Sequence, residues 1–311
     1  MRRRFAHETA YPPHGRHPAR NGQRGPFGRR RGRAPCRGRR GREVFCRVRA
    51  RQRPGRNQRR ERPRKPKRRE TGGIPYELGK NLRVDSRQEG DKVELVARVT
   101  SRWSFGWGHN SRNLHIEVRM PREGDLQVET GDGAVEVSSL NGNVNVHTGD
   151  GSVKANSVSG TIDLHTNDGG IAVDSLKGDI RLRTGDGSIE ARDIDGKVEA
   201  DSGDGRIRIA GRFDALNVKT GDGSVDTRVL PGSKMASSWT IRTGDGSVDM
   251  VLPADFQANI DATTGDGHIS LGIPVTVEGT FSRSQIRGRM NGGGQALTIH
   301  TGDGSIRLSK S

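Results

Sequence analysis

Thr148-Gly-Asp-Gly-Ser-Val-Lys-Ala-Asn-Ser-Val-Ser-Gly-Thr-Ile-Asp-Leu-His165 is one period of a repeat, and its reading decides the fold. The tetrapeptide Thr-Gly-Asp-Gly, or a near variant, starts at Thr130, Thr148, Thr166, Thr184, Ser202, Thr220, Thr243, Thr264 and Thr301. The first six starts are 18 residues apart; the later gaps are 23, 21 and 37, the last being the length of two units with one marker lost. Self-similarity at a fixed period takes precedence over any local assignment.

Within the period the apolar residues keep fixed offsets. Val135, Val153, Ile171, Ile189, Ile207, Val225, Val248, Ile269 and Ile306 form a column just after the marker. Val137, Ala155, Val173, Ala191, Ile209, Met250, Leu271 and Leu308 follow two residues on, with Thr227 the exception. Two further columns precede the marker, one running from Leu126 and Val144 to Leu297 and the other from Val128 and Val146 to Ile299. Polar residues such as Asn145, Asp163, Arg181 and Glu199 separate them, and alternation of period two means strands with one buried face. Each unit therefore holds two short strands and two turns, the second turn marked by Leu140-Asn-Gly, Val158-Ser-Gly, Leu176-Lys-Gly and Ile194-Asp-Gly. The few apolar side chains of one unit cannot offset the entropy of fixing its backbone, so stability must come from stacking unit on unit. The fold class that follows is all-β: a single-domain β-solenoid, or β-helix, of 18-residue coils over residues 126–311. Strand-like runs without the marker, Asn81-Leu-Arg-Val, Lys92-Val-Glu-Leu-Val-Ala-Arg-Val and Leu114-His-Ile-Glu-Val-Arg-Met, place N-terminal strands in residues 74–125 that start or cap the solenoid. The irregular stretch Trp103-Ser-Phe-Gly-Trp107 reads as packing of that cap.

The formal charge of +17 divides the chain into two materials. Residues 1–70 hold 27 Lys and Arg against 4 acids, a net of +23, and residues 71–311 hold 27 against 33, a net of −6. With 25 Arg, 8 Gly and 8 Pro and few apolar residues, the first 70 residues read as a disordered basic tail. Such a tail would bind polyanions, nucleic acid among them, through the phosphate backbone without reading bases. A second reading of the same residues is a wrong start or a shifted frame, since Arg, Gly, Pro and Ala are what GC-rich codons encode. The chain carries no run of some 18 apolar residues and no apolar stretch after Met1-Arg-Arg-Arg, so neither a transmembrane helix nor a signal peptide is readable. Cys36 and Cys46 are too few for a disulfide framework and lack zinc-ligand spacing.

The marker admits one chemical reading besides a structural one. Its two glycines are expected to supply positive φ at a tight corner, and its Asp to tolerate the left-handed region and close an Asx-turn. Stacking places Asp132, Asp150, Asp168, Asp186, Asp204 and Asp222 in one ladder. The ladder is either a row of solvated turn residues or a set of cation candidates resembling the calcium-binding repeat-in-toxin roll. That roll, however, repeats its Asp every nine residues in a different register to the glycines. His147 and His165 stack one coil apart on the outward face. No phosphate-binding Gly-rich loop and no paired catalytic carboxylates stand out from the repeat, so no catalytic residue, cofactor or metal is assigned and the protein reads as non-enzymatic.

The serial Thr-Gly-Asp-Gly-Ser-Val/Ile segments, Pro231-Gly-Ser-Lys-Met-Ala-Ser-Ser-Trp-Thr-Ile-Arg, Leu252-Pro-Ala-Asp-Phe, and Asn291-Gly-Gly-Gly through Thr301-Gly-Asp-Gly-Ser-Ile-Arg-Leu resemble the bacterial adhesin family of the DUF4097 type, a domain of unknown function. The resemblance covers residues 74–311. It implies a β-solenoid domain, often exported or associated with the cell envelope, with no catalytic residues to carry over. Three expectations stand beside it: a surface or envelope scaffold binding a protein or glycan along its rod faces; a self-polymerising structural solenoid joined end to end, in the manner of bactofilins; and polyanion binding through the basic tail.

Overall fold

The side chains of Val135, Val153 and Ile171 stand on successive rungs of one ladder, as Cα partners in parallel strands. The computed structural model describes residues 31–37, 45–52, 82–99, 115–277 and 282–311. Through its middle, each coil is one strand rather than two: Ala134–Thr148, Val153–Thr166, Ile171–Thr184, Ile189–Ser202 and Ile207–Thr220. Each of the first four bends at a corner where Ser139, Ser157, Ser175 or Asp193 takes φ of 50–56°. Three residues after each bend comes a glycine with φ of 120–155°. At Gly160 (φ 120°) a Cβ would also stand 2.3 Å from the Gly142 carbonyl oxygen, so glycine is required twice over. The corner divides every coil between two parallel ladders. One carries the column Val135 to Val225, the other the column Leu126 to Leu216, with the core between them.

The interior is the stack of apolar columns that the periodicity predicts, each buried apart from Ile269 and Leu271 in the last coil of the pile. Where the coils lengthen to 23 and 21 residues, aromatic rings fill the extra width. Phe213 meets Trp239 edge-on at 6.0 Å, and Trp239 lies 5.2 Å from Phe256. The Trp239 indole N–H donates to the Asp214 carbonyl at 3.4 Å. Thr227, the one polar residue in its column, is buried with its hydroxyl unpaired.

Both ends of the pile finish in antiparallel strands. At the N-terminal end the hairpin Leu82–Glu89 and Lys92–Val99 comes from the runs expected there, and His115–Pro121 is the third. Two stretches of the basic segment expected to be disordered are strands as well. Phe45–Gln52 lies antiparallel between Lys92–Val99 and Gly124–Thr130, and Arg31–Arg37 lies antiparallel between His115–Pro121 and Ala134–Thr148. The reason is the unpaired edge of the first coil, whose N–H and C=O groups need partners. In Phe45–Gln52 the alternation Cys46, Val48, Ala50 against Arg47, Arg49, Arg51 suits a strand, and Val48 is buried in the core. The rest of residues 1–70, and the Trp103–Trp107 stretch, lie outside the described residues.

The far end departs from chain order. The last coil in sequence, Ala296–Thr301 and Ile306–Lys310, is not the last in space. It pairs on one side with Trp239–Thr243 and Val248–Leu252 and on the other with Ala258–Thr264 and Ile269–Gly272. The 37-residue gap is therefore not two ordinary coils with a lost marker. It holds the end cap: Gln285–Met290 pairs antiparallel with Ala258–Thr264 and with Thr276–Val277, after which the chain returns to slot in its final coil.

Candidate functional site

The marker turns are built by close approach rather than by left-handed backbone. None of the glycines at positions 149, 151, 169, 185, 187, 203 and 205 has positive φ, which corrects the expectation for them, and the marker Asp residues do not have it either. Coils pass so near one another that a Cβ at Gly169 would stand 2.1 Å from the Gly151 carbonyl oxygen, and one at Gly187 2.0 Å from that of Gly169. Only glycine fits such a rung-on-rung contact. The turn N–H groups of Asp168, Asp186 and Asp204 reach main-chain oxygens of the preceding coil at 3.1–3.3 Å.

The functional part of the marker that sequence reasoning passed over is its first residue. Thr148, Thr166, Thr184, Ser202, Thr220, Thr243, Thr264 and Thr301 are all buried. The Thr166 hydroxyl donates to the Gly151 carbonyl of the preceding coil at 2.9 Å and accepts the Gly169 N–H at 3.1 Å. Thr184 repeats the pair at 2.8 and 3.1 Å, and Ser202 at 3.0 and 3.0 Å. The signal was present: Thr148 has the parity of Val144 and Val146, so it faces inward. Thr130 is the exception that explains the rule. An antiparallel strand replaces the preceding coil there, and its buried hydroxyl has no partner.

The Asp ladder lies on the surface, with Asp150, Asp168, Asp186, Asp204 and Asp222 exposed and Asp132 half-buried. Water screens such a row to about 1 kcal/mol per neighbouring pair. Among the described residues no three His, Cys, Asp or Glu side chains are grouped so as to hold a metal ion. The outward faces of the two ladders carry charge in register. Arg181 Nε lies 2.9 Å and Arg183 Nη2 3.0 Å from the Glu199 carboxylate. Lys177 and Arg212 both meet Asp195, at 3.2 and 3.4 Å. The hydrogen bond from Arg181, then that from Arg183, holds the Glu199 carboxyl below its ordinary range.

Two open grooves follow these faces. One, of about 520 Å³, crosses four coils past Asp163, Asp179, Arg181 and Glu199 and ends against Ser237 and Ser238. The other, of about 370 Å³, is lined by Glu136, Lys154, Asn156, Asp174, Glu190 and Arg192. No described helix is long and apolar enough to cross a membrane.

A capped β-solenoid with a buried hydroxyl row and charged lateral faces is the class these features define. The chain belongs to the Toastrack DUF4097 family, a domain of unknown function, whose profile it matches over residues 66–309, more than three quarters of its length. Comparison with curated proteins and with solved structures gave no match.

Proposed function

We propose that this protein is a non-enzymatic, envelope-associated scaffold that offers the lateral faces of its solenoid to a protein or glycan partner. The observation that carries the reading is the closure of both ends. Antiparallel strands cover both halves of the first coil and the Ala258–Thr264 half of the last, which directs recognition to the ladders with their charge rows and grooves. A groove of about 520 Å³ falls in the size range of small-ligand sites, and the Asp163, Asp179, Arg181 and Glu199 side chains along its mixed lining suit hydroxyl-rich or charged groups. Sedimentation at rising protein concentration tests this directly: a scaffold keeps one mass, whereas open-ended growth overturns the reading in favour of a filament.

The filament reading has one observation on its side. Among the described residues, the large apolar side chains that stay exposed, Val84, Val93 and Val277, all belong to end strands. Against it, the outermost N-terminal strand carries Arg83, Asp85, Arg87 and Glu89, a charged edge of the kind that discourages strand addition. The polyanion reading depends on residues 1–70, and deleting them is expected to abolish any such binding.

A further inference from the structure

His147 and His165 are Cα partners on consecutive rungs, and their rings stack with centroids 4.8 Å apart and planes within 5°. Both point outward, His147 exposed and His165 half-buried, each one residue before a buried marker threonine. We propose that the two imidazoles form a bidentate site for a borderline transition-metal ion, Zn²⁺ or Cu²⁺.

The chemistry fits the donors, because neutral imidazole suits these ions and a rigid sheet holds the pair in register. Metal–nitrogen bonds of about 2.0–2.1 Å place two ligating nitrogens no more than about 4.2 Å apart. Each nitrogen lone pair lies in its ring plane, so the two rings must turn out of the parallel stack about their Cβ–Cγ bonds to meet one ion. The surroundings favour a cation. Glu129 is the partner of His147 one rung below, and Asp163 lies two residues before His165 on the same face. Arg183, the partner of His165 on the other side, has its charge engaged by Glu199 at 3.0 Å. With no third His, Cys, Asp or Glu grouped for coordination among the described residues, water completes the shell and the ion stays exchangeable. The same row contains its own control. His300 occupies the equivalent position in the last coil, but its rung neighbours are Arg242 and Thr263, so it has no second imidazole.

Calorimetric titration of the full chain with ZnCl₂, and Cu²⁺ electron paramagnetic resonance, test the site. His147→Ala and His165→Ala are each expected to lower affinity by at least the tenfold or so that loss of an outer-shell partner costs. The nitrogen coupling on Cu²⁺ should fall from two nuclei to one in each single variant, while His300→Ala changes neither readout. Unliganded melting curves of the variants should match the parent, since the side chains face outward. Unchanged zinc affinity and stoichiometry in the double variant His147→Ala/His165→Ala would overturn the assignment, as would an equal loss in His300→Ala.

Discussion

The middle of the solenoid and its C-terminal third use the same rungs and close them differently. From Ala134 to Thr220 each coil rests on the one made just before it, and the Thr166 hydroxyl reaches back 15 residues to Gly151. Beyond Trp239 the pile is assembled out of order: Thr301 reaches back 55 residues to Gly246, and Thr264 reaches forward 40 residues to Gly304. The contacts are interchangeable, but their consequences are not. A middle coil can be lost and its neighbours re-paired, whereas the last coil in sequence is seated between two others and pairs with both.

Removing residues 291–311 should expose this difference most strongly. Four fully buried side chains, Leu297, Ile299, Ile306 and Leu308, leave the core, a loss on the order of 10 kcal/mol, and the end cap loses its parallel partner. Far-ultraviolet circular dichroism and melting should show a protein that has lost its C-terminal coils. Deleting residues 166–183 instead joins His165 to Thr184, restores a marker, and should leave a folded, shorter solenoid. Equal damage from both deletions would erase the distinction.

Within the middle, Gly169→Ala drives a methyl into a carbonyl oxygen of the neighbouring coil and should cost about 3 kcal/mol in denaturant unfolding. Gly170→Ala, where the nearest atom stands at 3.4 Å, should stay within about 0.5 kcal/mol. The hydroxyl row gives a comparable pair between middle and end. Thr166→Val strands the Gly151 carbonyl and the Gly169 N–H in the core, at a cost of about 3 kcal/mol. Thr130→Val removes an already unpartnered hydroxyl and should be neutral or stabilising by up to about 1 kcal/mol.

The smallest effect belongs to the surface. Because the folded-state carboxyl of Glu199 titrates below its unfolded value, its contribution is complete above the unfolded carboxylate pKa. It fades as pH falls through the lowered folded value. Glu199→Gln should therefore melt slightly below the parent at neutral pH, by less than about 1 kcal/mol for so exposed a pair, with the gap closing below about pH 4.

The columns were legible because burial, period and strand parity all report on the same residues, Val153 and Ile162 as much as Ile306. Parity also pointed Thr148 inward, although the hydrogen bonds it makes depend on a coil that local reading does not supply. The marker glycines misled for the same reason. Turn chemistry explains Gly160, but Gly169 answers to the carbonyl stacked beneath it. Spatial order was not legible at all, since Ile269 and Ile306 fit the same column and either could follow Val248. In Phe45–Gln52 the strand alternation was there to read, hidden by the arginines that alternate with Cys46, Val48 and Ala50 in the sequence.

Disulfide trapping along one outward row tests the stacking most directly. Thr298 is the Cα partner of both Thr240 and Asp261, which stand two rungs apart. With Cys36 and Cys46 replaced by Ser, Thr240→Cys/Thr298→Cys should cross-link under mild oxidation, because a disulfide spans Cα separations of about 4.4–6.8 Å. Thr240→Cys/Asp261→Cys should not. Cross-linking of the second pair in place of the first would mean that the coils stack in chain order, and the inserted C-terminal rung would have to be abandoned.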